Sequence, residues 1–99
     1  MPKDNDAKML EGMADAITSL QVKYRAASLS DRMLMRPTLE QLLSDYVQYQ
    51  IRLLKEGVIT TDADLADMKD IQREIDEAAS SQKLLTALAS AVAFVATKI

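Results

Sequence analysis

The sequence contains no cysteine, no histidine and no tryptophan, and only two glycines, two prolines and four aromatic residues. The lack of cysteine excludes disulfides and thiol chemistry and leaves the redox compartment unread. Without histidine and cysteine, zinc sites, haem ligation and Ser-His or Cys-His nucleophilic pairs lose their ligands or their base. Few sharp turns are available, and no β-branched alternation bounded by turn clusters occurs, which argues against strands. The apolar stretch Leu84 to Thr97 carries no charge but has only fourteen residues, whereas crossing a bilayer takes about 20. Met1 to Lys8 is charged and has no apolar centre, so it does not read as a secretory signal, and a cytoplasmic protein is expected.

What is present suits helices. Ninety-nine residues make one domain, 1–99. A chain of that size buries roughly 60–70% of its unfolded surface, so the core is thin. With four aromatics, that core is built from Leu, Ile, Val, Ala and six Met. The formal net charge is −3 and unevenly spread: Met1 to Pro37 has six basic and five acidic residues, Thr38 to Thr61 two and three, Asp62 to Ile99 four and seven. An acidic chain is poorly suited to phosphate backbones, which attract clustered Lys and Arg.

The densest apolar pattern lies between Thr38 and Glu56. Leu39, Leu42, Tyr46, Tyr49 and Leu53 recur at helical spacing, and Leu43, Val47, Ile51 and Leu54 form a second stripe beside them. Two adjacent stripes call for neighbours on two sides, so this helix is expected at the centre of the fold. Thr38 and Gln41 have capping-box spacing at its start. Gly57 is expected to close it, with Val58 folding back on the last turn. Thr60 or Thr61 then caps the next helix, with Asp62 and Asp64 at its positive end. The run Lys55-Glu-Gly-Val-Ile-Thr-Thr resembles the turn of the short helical module known as SHOCT. The likeness covers this turn alone and carries no function with it. The turn predicts an antiparallel helical hairpin.

Upstream, residues 1–6 read as a flexible tail, with Asp4, Asn5 or Asp6 as a cap. Leu10, Met13, Ile17, Leu20, Tyr24 and Ala27 mark an amphipathic helix from about Asp6 to Ala27, whose first four apolar residues are expected to pack on the central helix. Gly12 within it marks either a close helix contact or a tolerated surface position. Pro37 pushes Arg36 out of helical geometry, so Ser28 to Pro37 is expected to break the chain. Met33 and Met35 there belong either to a short turn covering the core or to an exposed, adaptable contact surface. Downstream, Leu65, Met68, Ile71, Ile75 and Ala78 define a third helix, with Asp67, Asp70, Glu74 and Glu77 as an acidic stripe. The 3–4 spacing continues through Gln82, Leu85, Ala89, Val92, Ala96 and Ile99. That favours one helix from Asp62 to about Thr97, some 54 Å long, with its C-terminal half projecting.

No catalytic, cofactor or metal site emerges. Asp62-x-Asp64 fails as a calcium loop, with Asp67 at the sixth position and Arg73 at the twelfth. Glu74-x-x-Glu77 lacks the histidine of di-iron bundles. The acidic stripe reads as a solvated face. The expected fold is an all-α bundle of three to four helices around a central antiparallel hairpin, its last helix long. The expected protein is no enzyme but a self-associating interaction module, a dimer or higher oligomer of coiled-coil kind, acting as adaptor, regulator or assembly component. Residues 84–99 form the expected oligomerisation segment. Leu85, Leu88, Val92, Val95 and Ile99, with Met33 and Met35, are the candidate contact residues. Two other readings stand beside this one: a peripheral membrane protein using Leu84 to Ile99, and a nucleic-acid-binding regulator using Lys23, Arg25, Arg32 and Arg36.

Overall fold

A computed structural model describes residues 4–56 and 59–99. Four helices run in the order α1 (Asn5–Ala26), α2 (Leu29–Glu56), α3 (Asp62–Glu77) and α4 (Ser81–Ala96). This is the expected all-α bundle, and no strand occurs among the described residues.

α1 begins where Asp4 Oδ1 accepts the Ala7 N–H at 2.8 Å, satisfying one of the free donors of the first turn. The expected tail over 1–6 is shorter at its inner end. Asn5 Nδ2 donates to Thr60 O at 3.2 Å and to Asp62 Oδ1 at 3.0 Å. Asp6 Oδ1 accepts the N–H groups of Ile59 and Thr60 at 3.2 and 3.0 Å. Met9, Met13, Ala16, Ile17 and Leu20 are buried, while Leu10 and Tyr24 are partly buried at the edge of the core. Gly12 marks a close contact: a Cβ there would stand 3.0 Å from Met68 Cγ, and Gln72 Nε2 donates to the Gly12 carbonyl at 3.1 Å.

α2 departs from expectation. The predicted break at Ser28 to Pro37 is absent, and the helix passes straight through Pro37. Its start is set upstream, where Ser28 Oγ accepts the Asp31 N–H at 3.2 Å and Ser28 O accepts the Arg32 N–H at 2.9 Å. Proline inside a helix removes one donor and costs about 3 kcal/mol. Met35 and Leu39 lie on either side of it, both buried. Burying a side chain of that size contributes roughly 1.5–3 kcal/mol, so the pair offsets the penalty. The capping box expected at Thr38 therefore does not form; Gln41 Nε2 instead donates to Asp45 Oδ1 at 2.7 Å.

The Gly57–Val58 helix ending lies outside the described residues. Beyond it, the cap is Thr61. Its Oγ1 accepts the Asp64 N–H at 3.1 Å, and Asp64 Oδ2 accepts the Thr61 N–H at 3.0 Å, a complete capping box.

The single helix expected over 62–97 is two. α3 ends at Glu77 and α4 starts at Ser81. Ser80 Oγ accepts the Lys83 N–H at 3.2 Å, and the Lys23 ammonium donates to the carbonyls of Ile75, Asp76 and Ala78 at 2.7, 2.8 and 3.0 Å. The Ile75 carbonyl also accepts the Ala78 N–H at 3.2 Å; carbonyls of a last turn lack the usual helical donors, and a cation at a helix C-terminus is favoured by the dipole. With α3 capped from α1, α4 turns back instead of projecting. Its Leu84, Leu88, Ala91 and Val95 then join the core.

The arrangement corrects the expected hairpin. α2 and α3, although consecutive in the chain, do not pack on each other; α1 packs chiefly on α3, and α2 chiefly on α4. The contacts Asn5 to Asp62, Gly12 to Gln72 and Lys23 to Ile75 show that α1 and α3 run parallel. Going round the bundle the order is α1, α3, α4, α2, so the consecutive helices α2 and α3 sit at opposite corners. α1 as a whole thus packs more on α3 than on the helix its apolar side was expected to meet, although Leu10 does line a hollow with Gln50, Leu53 and Leu54 of α2.

Candidate interaction surface

One end of the bundle gathers polar groups from every helix. Asp64 Oδ1 is 2.6 Å from Lys98 Nζ, and the same ammonium stands 5.2 Å from the centroid of the Phe94 ring. Arg52 pairs with Glu56 at 2.5 Å and donates to the Lys98 carbonyl. Tyr49, fully buried, shares a hydrogen bond with Thr60 Oγ1. Burial pushes the Asp64 carboxyl up, but Lys98 and the Thr61 N–H outweigh it and hold the group below the usual carboxylate range. Burial raises the Tyr49 phenol above its ordinary value, with the Thr60 hydrogen bond opposing. Each of these groups is consumed by a partner inside the fold. Their role is to lock the N-termini of α1 and α3 to the C-termini of α2 and α4.

The acidic stripe of α3 lies in solvent: Asp67, Asp70, Glu74 and Glu77 are all exposed, and Asp70 is paired with Arg73 at 3.0 Å. Among the described residues, no three acidic side chains converge in a geometry that could hold a metal ion. Of the basic stretch, Lys23 is spent on the end of α3, and Arg36 Nε donates to Tyr24 Oη at 3.3 Å.

The seven candidate contact residues do not share one surface. Leu88, Val95 and Met35 are buried within the single chain. Leu85 and Val92 are partly buried against the core. Ile99 and Met33 are exposed, on different elements. The cause is the break at 78–80, which rotates the apolar side of α4 inward. No helix among the described residues is long and apolar enough to cross a membrane.

A different apolar surface is open. The first stripe of α2 turns inward, with Leu39, Leu42 and Tyr49 buried. The second stripe turns out: Val47 is 51% exposed, Ile51 46% and Leu54 87%. Leu29 and Met33, at 67% and 68%, lie on the same side of the helix, since 29, 33, 40, 47, 51 and 54 are separated by near-whole turns of 3.6 residues. Arg36 and Glu40, both exposed, sit in the middle of this line. α2 is 28 residues long, about 42 Å at 1.5 Å per residue, which matches the 43 Å long axis of the molecule. The stripe therefore runs the full length of one side. The sequence signal for it was the second stripe itself; what the sequence did not reveal is that only one of the two is covered.

No family model, curated protein or solved structure matches the chain.

Proposed function

We propose that the chain is a non-catalytic helical interaction module of the cytoplasm, which self-associates and binds another protein as an adaptor, a regulator or an assembly component. The observation that supports this reading is the outward stripe of α2. Each large apolar side chain left in water forgoes roughly 1.5–3 kcal/mol of burial. Scattered singly, such residues need no explanation; aligned along a whole helix, they mark a contact surface. This reading puts the contact surface on α2 rather than on residues 84–99, whose buried side chains pack into the bundle. That packing also removes the motive for the membrane-surface reading, which relied on those residues lying in lipid.

The test is site-specific photo-crosslinking in the native cell. A crosslinking residue replacing Val47 or Ile51 is expected to give discrete protein adducts, while one replacing Asp70 on the acidic side of α3 gives none. Equal or absent labelling at the three positions would overturn the reading.

A further inference from the structure

We infer that the occupant of the α2 stripe is a second copy of this chain, its α2 laid antiparallel on the first about a two-fold axis near Thr38. This rests on the interaction-module reading above and names its partner. The argument is one of self-complementarity. In an antiparallel pair about that axis, residues equally far on either side of position 38 meet each other. Arg36 and Glu40 lie two residues either side of it, Met33 and Leu43 five, Leu29 and Val47 nine. Arg36 of one copy thus faces Glu40 of the other, twice over, and Leu29, Met33, Leu43 and Val47 each meet an apolar residue. Arg36, Glu40, Met33, Leu29 and Val47 are exposed and Leu43 is partly so. A two-fold interface requires this kind of matching, because one surface must complement itself. A parallel pairing would instead set Arg36 against Arg36 and Glu40 against Glu40.

Size decides the strength. A Leu, Met or Val side chain carries on the order of 100 Å² of apolar surface. Four such residues per copy, with part of Ile51, give about 300–500 Å² of partly open surface, below the ~800 Å² per partner of a standard stable interface. The dimer is therefore weak and reversible. The two charge pairs fix the register more than they add affinity. Leu54 lies beyond the start of the partner's α2 and stays in water.

Sedimentation equilibrium of the full chain over the micromolar range tests this, with far-UV circular dichroism to verify folding. A reversible monomer–dimer equilibrium is expected. Arg36→Glu and Glu40→Arg should each weaken the dimer about tenfold or more through like-charge contact. An equimolar mixture of the two variants, or one chain carrying both, should restore it. Val47→Gln should weaken the dimer and Leu54→Gln should not, which keeps the inference testable if a charge variant fails to fold. A chain that stays monomeric throughout, or a dimer indifferent to both charge reversals, overturns it. If Val47 and Ile51 still crosslink to other proteins in that case, the interaction reading survives and only the second copy is lost.

Discussion

Lys23, on α1, and Ile75, on α3, lie 52 residues apart, yet the ammonium of the first is 2.7 Å from the carbonyl oxygen of the second. Asp76 and Ala78 complete the grip. One side chain thus stops α3, anchors the turn to α4 and ties both to α1. Replacing Lys23 with Met keeps most of the aliphatic stem and removes three charge-assisted hydrogen bonds. Hydrogen bonds to charged groups contribute about 1.5–3 kcal/mol each, and the site is partly open to water. The expected loss is about 1–3 kcal/mol in all, read from the midpoint of urea unfolding at unchanged slope.

Gly12 and Met68 define how near α1 comes to α3. Gly12→Ala gains about 0.8–1 kcal/mol of helix propensity, set against a Cβ 3.0 Å from Cγ of Met68, a buried side chain that must give way slightly. A change within about 1 kcal/mol is expected. Gly12→Leu overfills the contact and should destabilise by about 1–3 kcal/mol. Thermal melts of the two variants beside the parent chain check the contrast.

The Asp64–Lys98 pair makes stability depend on acid. The carboxyl is held below its ordinary value in the folded chain, so the folded state binds its proton less readily than the unfolded state does. Its contribution is fully present above the unfolded value of about 3.9 and is lost as pH falls through the lower folded one. Asp64→Asn should flatten the stability profile below about pH 4. Unfolding free energies measured at neutral pH and at several acidic values test this; a variant profile parallel to the parent's would count against it.

Tyr49 works in the opposite direction. Burial raises its phenol above the usual value, so its contribution is present below the unfolded value of about 10 and lost as pH rises through the folded one. Its ionisation, followed by absorbance, should coincide with alkaline unfolding. Tyr49→Phe leaves Thr60, which is buried, without that hydrogen bond. An unsatisfied buried hydroxyl costs about 1–3 kcal/mol, and the variant should lose the absorbance step that accompanies unfolding.

The helices were legible because the stripes they bury are periodic. Met13, Ile17, Leu20, Leu39, Leu42, Tyr49, Met68, Ile71 and Ile75 were all placed by spacing and are all buried. Boundaries failed where tertiary contacts outweighed local signals. Pro37 reads as a stop, but burial of Met35 and Leu39 carries the helix past it. The junction at 78–80 has no glycine or proline; Ser80 caps α4 locally, but the ammonium that holds the end of α3 belongs to Lys23, 52 positions away from Ile75, which no local pattern can reveal. The burial of Leu88, Val95 and Met35 within the single chain escapes the sequence for the same reason. Periodicity shows that a helix has an apolar side, but only the packing of α4 shows which sides are already covered.

The diagonal placement of α2 and α3 bears on how the molecule forms. In a bundle built from consecutive hairpins, each half gains most of its contacts locally and as it emerges. Here α1 finds its main neighbour only after α3 exists, and α2 only after α4. Loop closure over such separations must come before the contacts that reward it, which slows folding relative to helical proteins rich in near-neighbour pairs. A chain cut within residues 57–61 should therefore yield two fragments that remain largely unstructured alone and acquire helicity together when mixed.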